Sequence, residues 1–208
     1  VIYKTPKDAL FDVGKYNKEL EKIVEERDII VDYNYNLVEI DGDKKEATFE
    51  HIKTNDRKTI DYEMLHVTPP MGPLRVLKES TLSDSDGWVD VNPTTLQHKS
   101  YSNIFALGDA SNVPTSKTGA AIRKQAPIVV NNLLQVMDNE MLTHHYDGYT
   151  SCPIVTGYNK LILAEFDYNK KPKETFPFNQ AKERRSMYIF KKDLLPKMYW
   201  YGMLKGLI

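Results

Sequence analysis

The sequence predicts an α/β protein, and three stretches carry that expectation. Residues 1–31 read as strand, helix, strand. Residues 103–125 read as a short apolar strand, a Gly-Asp turn, a polar loop and the start of a helix. Residues 149–167 hold two apolar runs around Thr156-Gly157-Tyr158-Asn159, the pattern of a β-hairpin.

In chain order, residues 1–3 form the first expected strand. Residues 13–27 form a helix, with Tyr16, Leu20, Ile23 and Val24 at helical spacing and Asp12 as a candidate cap. Residues 29–31 return as a second strand, parallel to the first. Residues 36–40 and 46–52 are strands joined by Asp41-Gly42-Asp43-Lys44, a good turn sequence. After a second turn at residues 54–57, residues 59–60 and then 64–68 extend this group. Three prolines and a glycine in residues 68–73 stop regular structure and mark a boundary. Residues 73–79 suggest a short helix, and residues 88–91 and 95–98 short strands. Residues 104–107, Ile-Phe-Ala-Leu, suit a buried parallel strand, and residues 120–137 a helix. Beyond the hairpin, residues 170–177 are polar loop and residues 182–192 a basic helix. Residues 194–208 are rich in aromatics, Met and Leu. The expected divisions are 1–69, 70–141 and 142–208.

Composition narrows the function classes. The 208 residues are 41% hydrophobic and 27% charged, which suits a globular chain rather than a disordered one. A net charge of −1 offers no electrostatic footprint for nucleic acid. No spacing of Cys and His resembles a zinc or haem site. One cysteine, Cys152, cannot form a disulfide within the chain, so a redox partner sulfur has to come from elsewhere. No apolar run reaches the ~20 residues a membrane-spanning helix requires. The chain opens without Met inside an apolar run and reads as a piece of a longer protein.

Chemistry concentrates in residues 108–119. Gly108-Asp109 would put a carboxylate at the carboxyl end of a strand, where open α/β sheets bind ligands. Gly108 lets a ligand approach the backbone, and Asp109 can accept hydrogen bonds from a sugar or polyol. The helix opening at Lys117-Thr118-Gly119 offers free N–H groups and partial positive charge. Gly-Asp is also an ordinary turn, and Lys117 can equally be a solvated loop lysine. The order strand, Gly-Asp, loop, helix resembles the second flavin-binding segment of flavoprotein disulfide reductases and their quinone-reducing relatives. That resemblance implies that Asp109 holds the ribityl chain of FAD and that Lys117, Thr118 and Gly119 face the pyrimidine side of the flavin. The antiparallel strands interrupting a parallel unit are likewise similar to the second nucleotide-binding domain of two-dinucleotide flavoproteins. No Gly-x-Gly-x-x-Gly occurs, so that fingerprint is expected upstream.

Cys152 precedes Pro153 at a strand start. It can be an inert buried thiol. Alternatively, donors from Tyr149, Thr150 and Ser151 lower its pKa and make it reactive. Longer strings speak to this choice: Tyr146-Asp147-Gly148-Tyr149-Thr150-Ser151-Cys152-Pro153, Ala164-Glu165-Phe166-Asp167-Tyr168, Gly87-Trp88-Val89-Asp90-Val91, Pro114-Thr115-Ser116-Lys117-Thr118 and Glu174-Thr175-Phe176-Pro177-Phe178. They resemble the mitochondrial type of sulfide:quinone oxidoreductase along nearly the whole chain. The resemblance implies a partial two-dinucleotide-binding-domain, Rossmann-like flavoprotein with a C-terminal β-hairpin and a helical membrane-facing module. It also implies an FAD enzyme peripheral to the mitochondrial inner membrane. Such an enzyme passes electrons from hydrogen sulfide to ubiquinone and sulfur to a small acceptor such as glutathione. Cys152 matches the more C-terminal of two redox cysteines. On this reading residues 1–69 end the second nucleotide-binding-like domain, residues 70–141 end the FAD domain, and residues 142–208 carry the cysteine.

Residues 198–208, with Lys182, Arg184, Arg185, Lys191, Lys192 and Lys197 before or beside them, suit a helix lying in a membrane interface. A terminal helix packed on the core fits as well. Two other functions stay open: a type II NADH:quinone oxidoreductase-like flavoprotein in which Cys152 is incidental, and a non-catalytic piece that binds a membrane or a partner.

Overall fold

The computed structural model describes residues 1–207. Among the described residues, helices and strands mix, and the strands form three small sheets. It divides into two compact units, Val1–Pro70 and Met71 onward.

In the first unit, β1 (Ile2–Thr5), α1 (Gly14–Glu26) and β2 (Ile30–Tyr33) form the expected parallel β-α-β unit, with Ile2 opposite Ile30. Tyr16 and Ile23 are the buried positions of α1. Asp12 does not cap this helix; it pairs with Lys7 at 2.9 Å. The entry is held instead by Asn17, whose Oδ1 accepts the Leu10 and Phe11 N–H groups at 2.9 and 3.0 Å.

β3 (Tyr35–Asp41), β4 (Glu46–His51) and β5 (Arg57–Asp61) form an antiparallel sheet in that order. Asp41 Oδ1 shapes the first turn by accepting from Asp43 and Lys44 N–H. Residues 64–68 add no strand; they are irregular and mostly exposed. The two prolines that follow leave that run without a ladder to join.

In the second unit, α2 (Arg75–Lys78) leads into a core built from Val89, Val91, Leu96, Val113 and Tyr146. The short strands expected at residues 88–91, 95–98 and 104–107 are single bridges: Val89 beside Ser111, Val91 beside His98, and Gln97 antiparallel to Phe105. Residues 104–107 are only half-buried, and their one bridge is antiparallel, not parallel. A buried parallel strand needs a ladder on its flanks. None lies beside this run among the described residues.

α3 (Gly119–Met137) follows, with Thr118 as its cap: Thr118 Oγ1 accepts the Ala121 N–H at 3.1 Å. Then β6 (Thr150–Gly157) and β7 (Lys160–Phe166) form the expected hairpin, with Asn159 in the left-handed region at the tip. Every residue of β7 after Lys160 is buried. Leu161 and Leu163 pack against Met187, and each such burial contributes roughly 1.5–3 kcal/mol.

The basic helix begins later than expected. α4 (Arg185–Ile189) runs into a π-helical turn, Phe190–Leu194, and then α5 (Leu195–Tyr201). Pro196 supplies the cause, since a ring there clashes with the carbonyl four residues back and a wider turn relieves it. The helix stops at Tyr201, short of the 198–208 span expected; a 3-10 turn at Met203–Lys205 follows, and Ile208 lies outside the described residues. Among the described residues, no helix is long and apolar enough to cross a membrane.

Candidate functional site

Gly108, Asp109 and Ala110 form a single 3-10 turn. Gly108 stands at φ +61, and a Cβ there would meet Ile122 Cγ1 at 2.9 Å. Only glycine fits such a position without strain. The turn is tied at both of its ends. Gly108 N–H donates to Gln125 Oε1 at 2.7 Å, and the Gly108 carbonyl accepts from the Ser111 hydroxyl at 2.9 Å. Asp109 is exposed, and among the described residues its carboxylate accepts no hydrogen bond. It is an open acceptor held on a fixed turn.

Lys117 behaves differently from the solvated lysine and from the ligand-facing one. Its ammonium donates to the carbonyls of Asp109 and Ser111, at 3.0 and 2.6 Å. It also lies 3.9 Å from the centre of the Trp88 ring. Burial pushes its pKa down, and the nearby Asp109 and Asp84 charges oppose that. Two of its three donors therefore fasten the loop to the Asp109 turn.

Thr118 uses its hydroxyl twice. It caps α3, and it lies 3.0 Å from Thr150 Oγ1. Thr150 Oγ1 donates onward to the Ser116 carbonyl at 3.2 Å, so the Thr118 proton must serve the Thr118–Thr150 bond. The fully buried Thr150 thus clips β6 onto the loop that starts α3. Gly119 has open space where a Cβ would be. With Ala121 N–H taken by Thr118, the Gly119 and Ala120 N–H groups have no acceptor among the described residues. They form a donor edge with partial positive charge.

Cys152 shares the face of β6 that carries Thr150, because side chains alternate along a strand. It is half-buried. Burial pushes its thiol pKa up; a hydrogen bond from the Ser116 side chain and the Lys191 charge pull the other way. The lowered pKa expected from Tyr149, Thr150 and Ser151 is therefore corrected. The Thr150 proton goes to Ser116 and the Tyr149 hydroxyl to Glu165, so neither serves the sulfur. The donor comes from 36 positions upstream instead (152 less 116).

Two polar centres escape a reading of the sequence. Glu165, 4% exposed, accepts from Tyr149 Oη, Thr175 N–H at 2.6 Å, Thr175 Oγ1 at 3.0 Å and Gln180 Nε2 at 2.8 Å. It knots the loop after β7 to the back of the hairpin. Its signal was a lone carboxylate inside the apolar run of β7. Gln125 is the other, and its signal was a polar residue on the stripe of α3 that also holds Ala121, Ile128 and Asn132. Among the described residues no group of His, Cys, Asp and Glu could hold a metal ion.

This arrangement combines an open carboxylate, an open helix N-terminus and one thiol beside the loop between them. It suits a ligand with hydroxyls and an electron-rich edge, and the Cβ-free space at Gly119 admits a flat ring.

No family model matches the chain. Curated relatives do. The chain is 52% identical over 207 residues to the mouse (Mus musculus) mitochondrial sulfide:quinone oxidoreductase, across 99% of this chain and 46% of that protein. It is 52% identical to the enzyme of the same name from Dictyostelium discoideum, across 95% of this chain and 44% of that protein. It is 40% identical to that of Schizosaccharomyces pombe, across 96% and 45%. Among solved structures, a chain of the Tetrahymena thermophila mitochondrial ATP synthase tetramer superimposes with a TM-score of 0.81 at 28% identity, covering 95% of this chain and 48% of that one. The chain spans a little under half the length of the curated relatives it matches. Along nearly its whole length, the chain is similar to a little under half of each of these mitochondrial sulfide:quinone oxidoreductases.

Proposed function

We propose that the chain forms part of an FAD-dependent sulfide:quinone oxidoreductase, peripheral to the mitochondrial inner membrane. On this reading, residues 1–69 and 70–141 complete two Rossmann-like domains with sequence outside this chain, and residues 142–208 carry the redox cysteine and a membrane-facing module. The overall reaction balances as hydrogen sulfide plus a thiol plus ubiquinone giving a persulfide plus ubiquinol, with glutathione as an example of the thiol.

The site residues divide the work. Asp109 accepts hydrogen bonds from the ribityl hydroxyls of FAD, and Gly108 keeps the turn close. The Thr118-capped N-terminus at Gly119 stabilises negative charge at the pyrimidine edge, worth roughly 0.3–1 kcal/mol and up to ~2 when partly buried. Lys117 contributes through the turn it fastens. FAD, when bound, supplies a two-electron acceptor. Cys152 is one half of a disulfide or trisulfide whose other cysteine lies outside this chain. Hydrosulfide attack breaks a sulfur–sulfur bond, forms a persulfide on one cysteine and releases the other as thiolate. Ser116 donates its hydroxyl hydrogen to the Cys152 sulfur and favours that released anion.

One observation carries the reading. The thiol of Cys152, on β6, takes a hydrogen bond from Ser116, and its neighbour Thr150 is fastened to the same loop, residues 116–118, which leads into the open N-terminus of α3. Membrane contact draws support from exposed Tyr199, Trp200, Tyr201 and Leu204 near Lys197 and Lys205. The test is Cys152→Ser in the full-length protein. Sulfide-dependent ubiquinone reduction should disappear while FAD stays bound. Unimpaired turnover overturns the role of Cys152, and NADH-dependent turnover in its place would point to a type II NADH:quinone oxidoreductase-like enzyme. For this chain alone, FAD titration should give weak or no binding; tight stoichiometric binding would contradict the need for the remaining sequence.

A further inference from the structure

Gln125 lies two turns into α3, 1% exposed. Its Oε1 accepts the Gly108 N–H at 2.7 Å, across 17 residues of sequence. Its Nε2 is buried and meets no acceptor at hydrogen-bond geometry, though it faces the Tyr146 hydroxyl closely enough to oppose the rise of that phenol's pKa. A buried N–H left unpaired costs about 1–3 kcal/mol; a methionine of similar volume would remove this one but leave the buried Gly108 N–H without its acceptor, so the two costs roughly offset. Stability alone therefore does not explain a glutamine here. What its oxygen does is specific. The Gly108 peptide sits in the left-handed region with its carbonyl already taken by Ser111. Its N–H is the remaining handle, and Gln125 fixes it to the same helix whose N-terminus begins at Gly119. The N–H belongs to the Leu107–Gly108 peptide and the carbonyl to the Gly108–Asp109 peptide, so holding both fixes the turn at Gly108 and with it the direction in which Asp109 presents its carboxylate.

We infer that Gln125 is the positioning residue of the Gly108–Asp109 turn, holding the Asp109 carboxylate in register with the N-terminus of α3 so that one flavin can engage both. This rests on the flavin reading above. In that frame α3 serves the ligand at two places: directly through its first turn, and indirectly through a side chain further along.

The test uses the full-length protein, stripped of FAD and titrated with it, with melting temperature of the apoprotein followed alongside. Gln125→Met removes the acceptor at nearly constant volume. It should weaken FAD binding about tenfold or more while leaving the apoprotein melting temperature near the parent's. Gln125→Asn, one methylene too short to reach, should weaken FAD binding likewise and covers the case in which the Met variant does not fold. Gln125→Glu keeps an oxygen at the right reach and should recover most of the affinity. Parent-like FAD affinity in both the Met and Asn variants, with Asp109→Asn losing it, overturns the inference and leaves the flavin reading standing. Parent-like affinity in Asp109→Asn overturns the flavin reading and this inference with it.

Discussion

Two apolar runs, residues 104–107 and residues 161–166, look alike on paper and end in opposite states. The second is β7: it has a full antiparallel ladder with β6, and all six of its residues are buried. The first is half-buried and has one bridge. The difference lies in what stands beside each run. β7 meets a partner ten residues away across a short turn, and the loop behind it is fastened by Glu165. The 104–107 run has only the backbone of residues 96–98 beside it, and among the described residues no strand extends that pairing into a ladder. α3 shows the same contrast within one helix. Ala121, Gln125 and Asn132 are buried, while Val130, Leu133, Leu134 and Met137 form an apolar stripe in the open. Hydrophobic sequence states a demand for cover; it does not supply the cover.

The hairpin side of this contrast breaks most easily at Glu165. Glu165→Leu strands the Tyr149, Thr175 and Gln180 donors and should cost roughly 3 kcal/mol, read as a lower urea midpoint. A neutral result would mean that the knot does not hold the hairpin. The second effect is alkaline. Burial pushes Tyr146 and Tyr149 up to about 12 from 10.0, Tyr149 with help from the Glu165 charge. Raised values mean that the folded state keeps protons the unfolded chain releases. Stability should stay level below pH 10 and fall as pH climbs through about 12. Thermal melts across that window, with tyrosinate absorbance followed, check it; ionisation near 10 without loss of fold would refute it.

The open side is sharpened by Leu134→Glu. Leu134 is 51% exposed, so this chain should change by less than about 0.5 kcal/mol. In a protein of the relatives' full length, the same change should cost about 2 kcal/mol if the stripe is covered there. Equal effects in both would show that the stripe is ordinary surface. The smallest effect concerns the thiol. Ser116→Ala removes the donor on Cys152 and should slow iodoacetamide alkylation roughly threefold at fixed pH. A single cysteine makes the readout unambiguous, and an unchanged rate would detach Ser116 from the sulfur.

Local signals made much of the fold readable. The β-α-β unit, the turn at Asp41, the cap at Thr118 and the hairpin at Asn159 are each decided within a few residues. Residues 88–91, 95–98 and 104–107 were not readable, because a strand is a property of a pair. The site divides along the same line. Gly108, Asp109, Thr118 and Gly119 could be singled out from their order in sequence. The aim of Lys117, the donor on Cys152 and the grip of Gln125 depend on partners 6 to 36 positions away. They follow from folding rather than from pattern.

The widened turn at Phe190–Leu194 cancels a rotation. One residue inserted into an α-helix would turn everything after it by about 100°, and the wider turn takes up that residue locally. The Tyr199-Trp200-Tyr201 group therefore faces nearly where it would stand one residue earlier in an unbroken helix that runs on from Met187, which packs on β7. Removing one residue from that turn would restore regular pitch and leave the aromatic trio on nearly the same side of the helix axis, with the hairpin untouched.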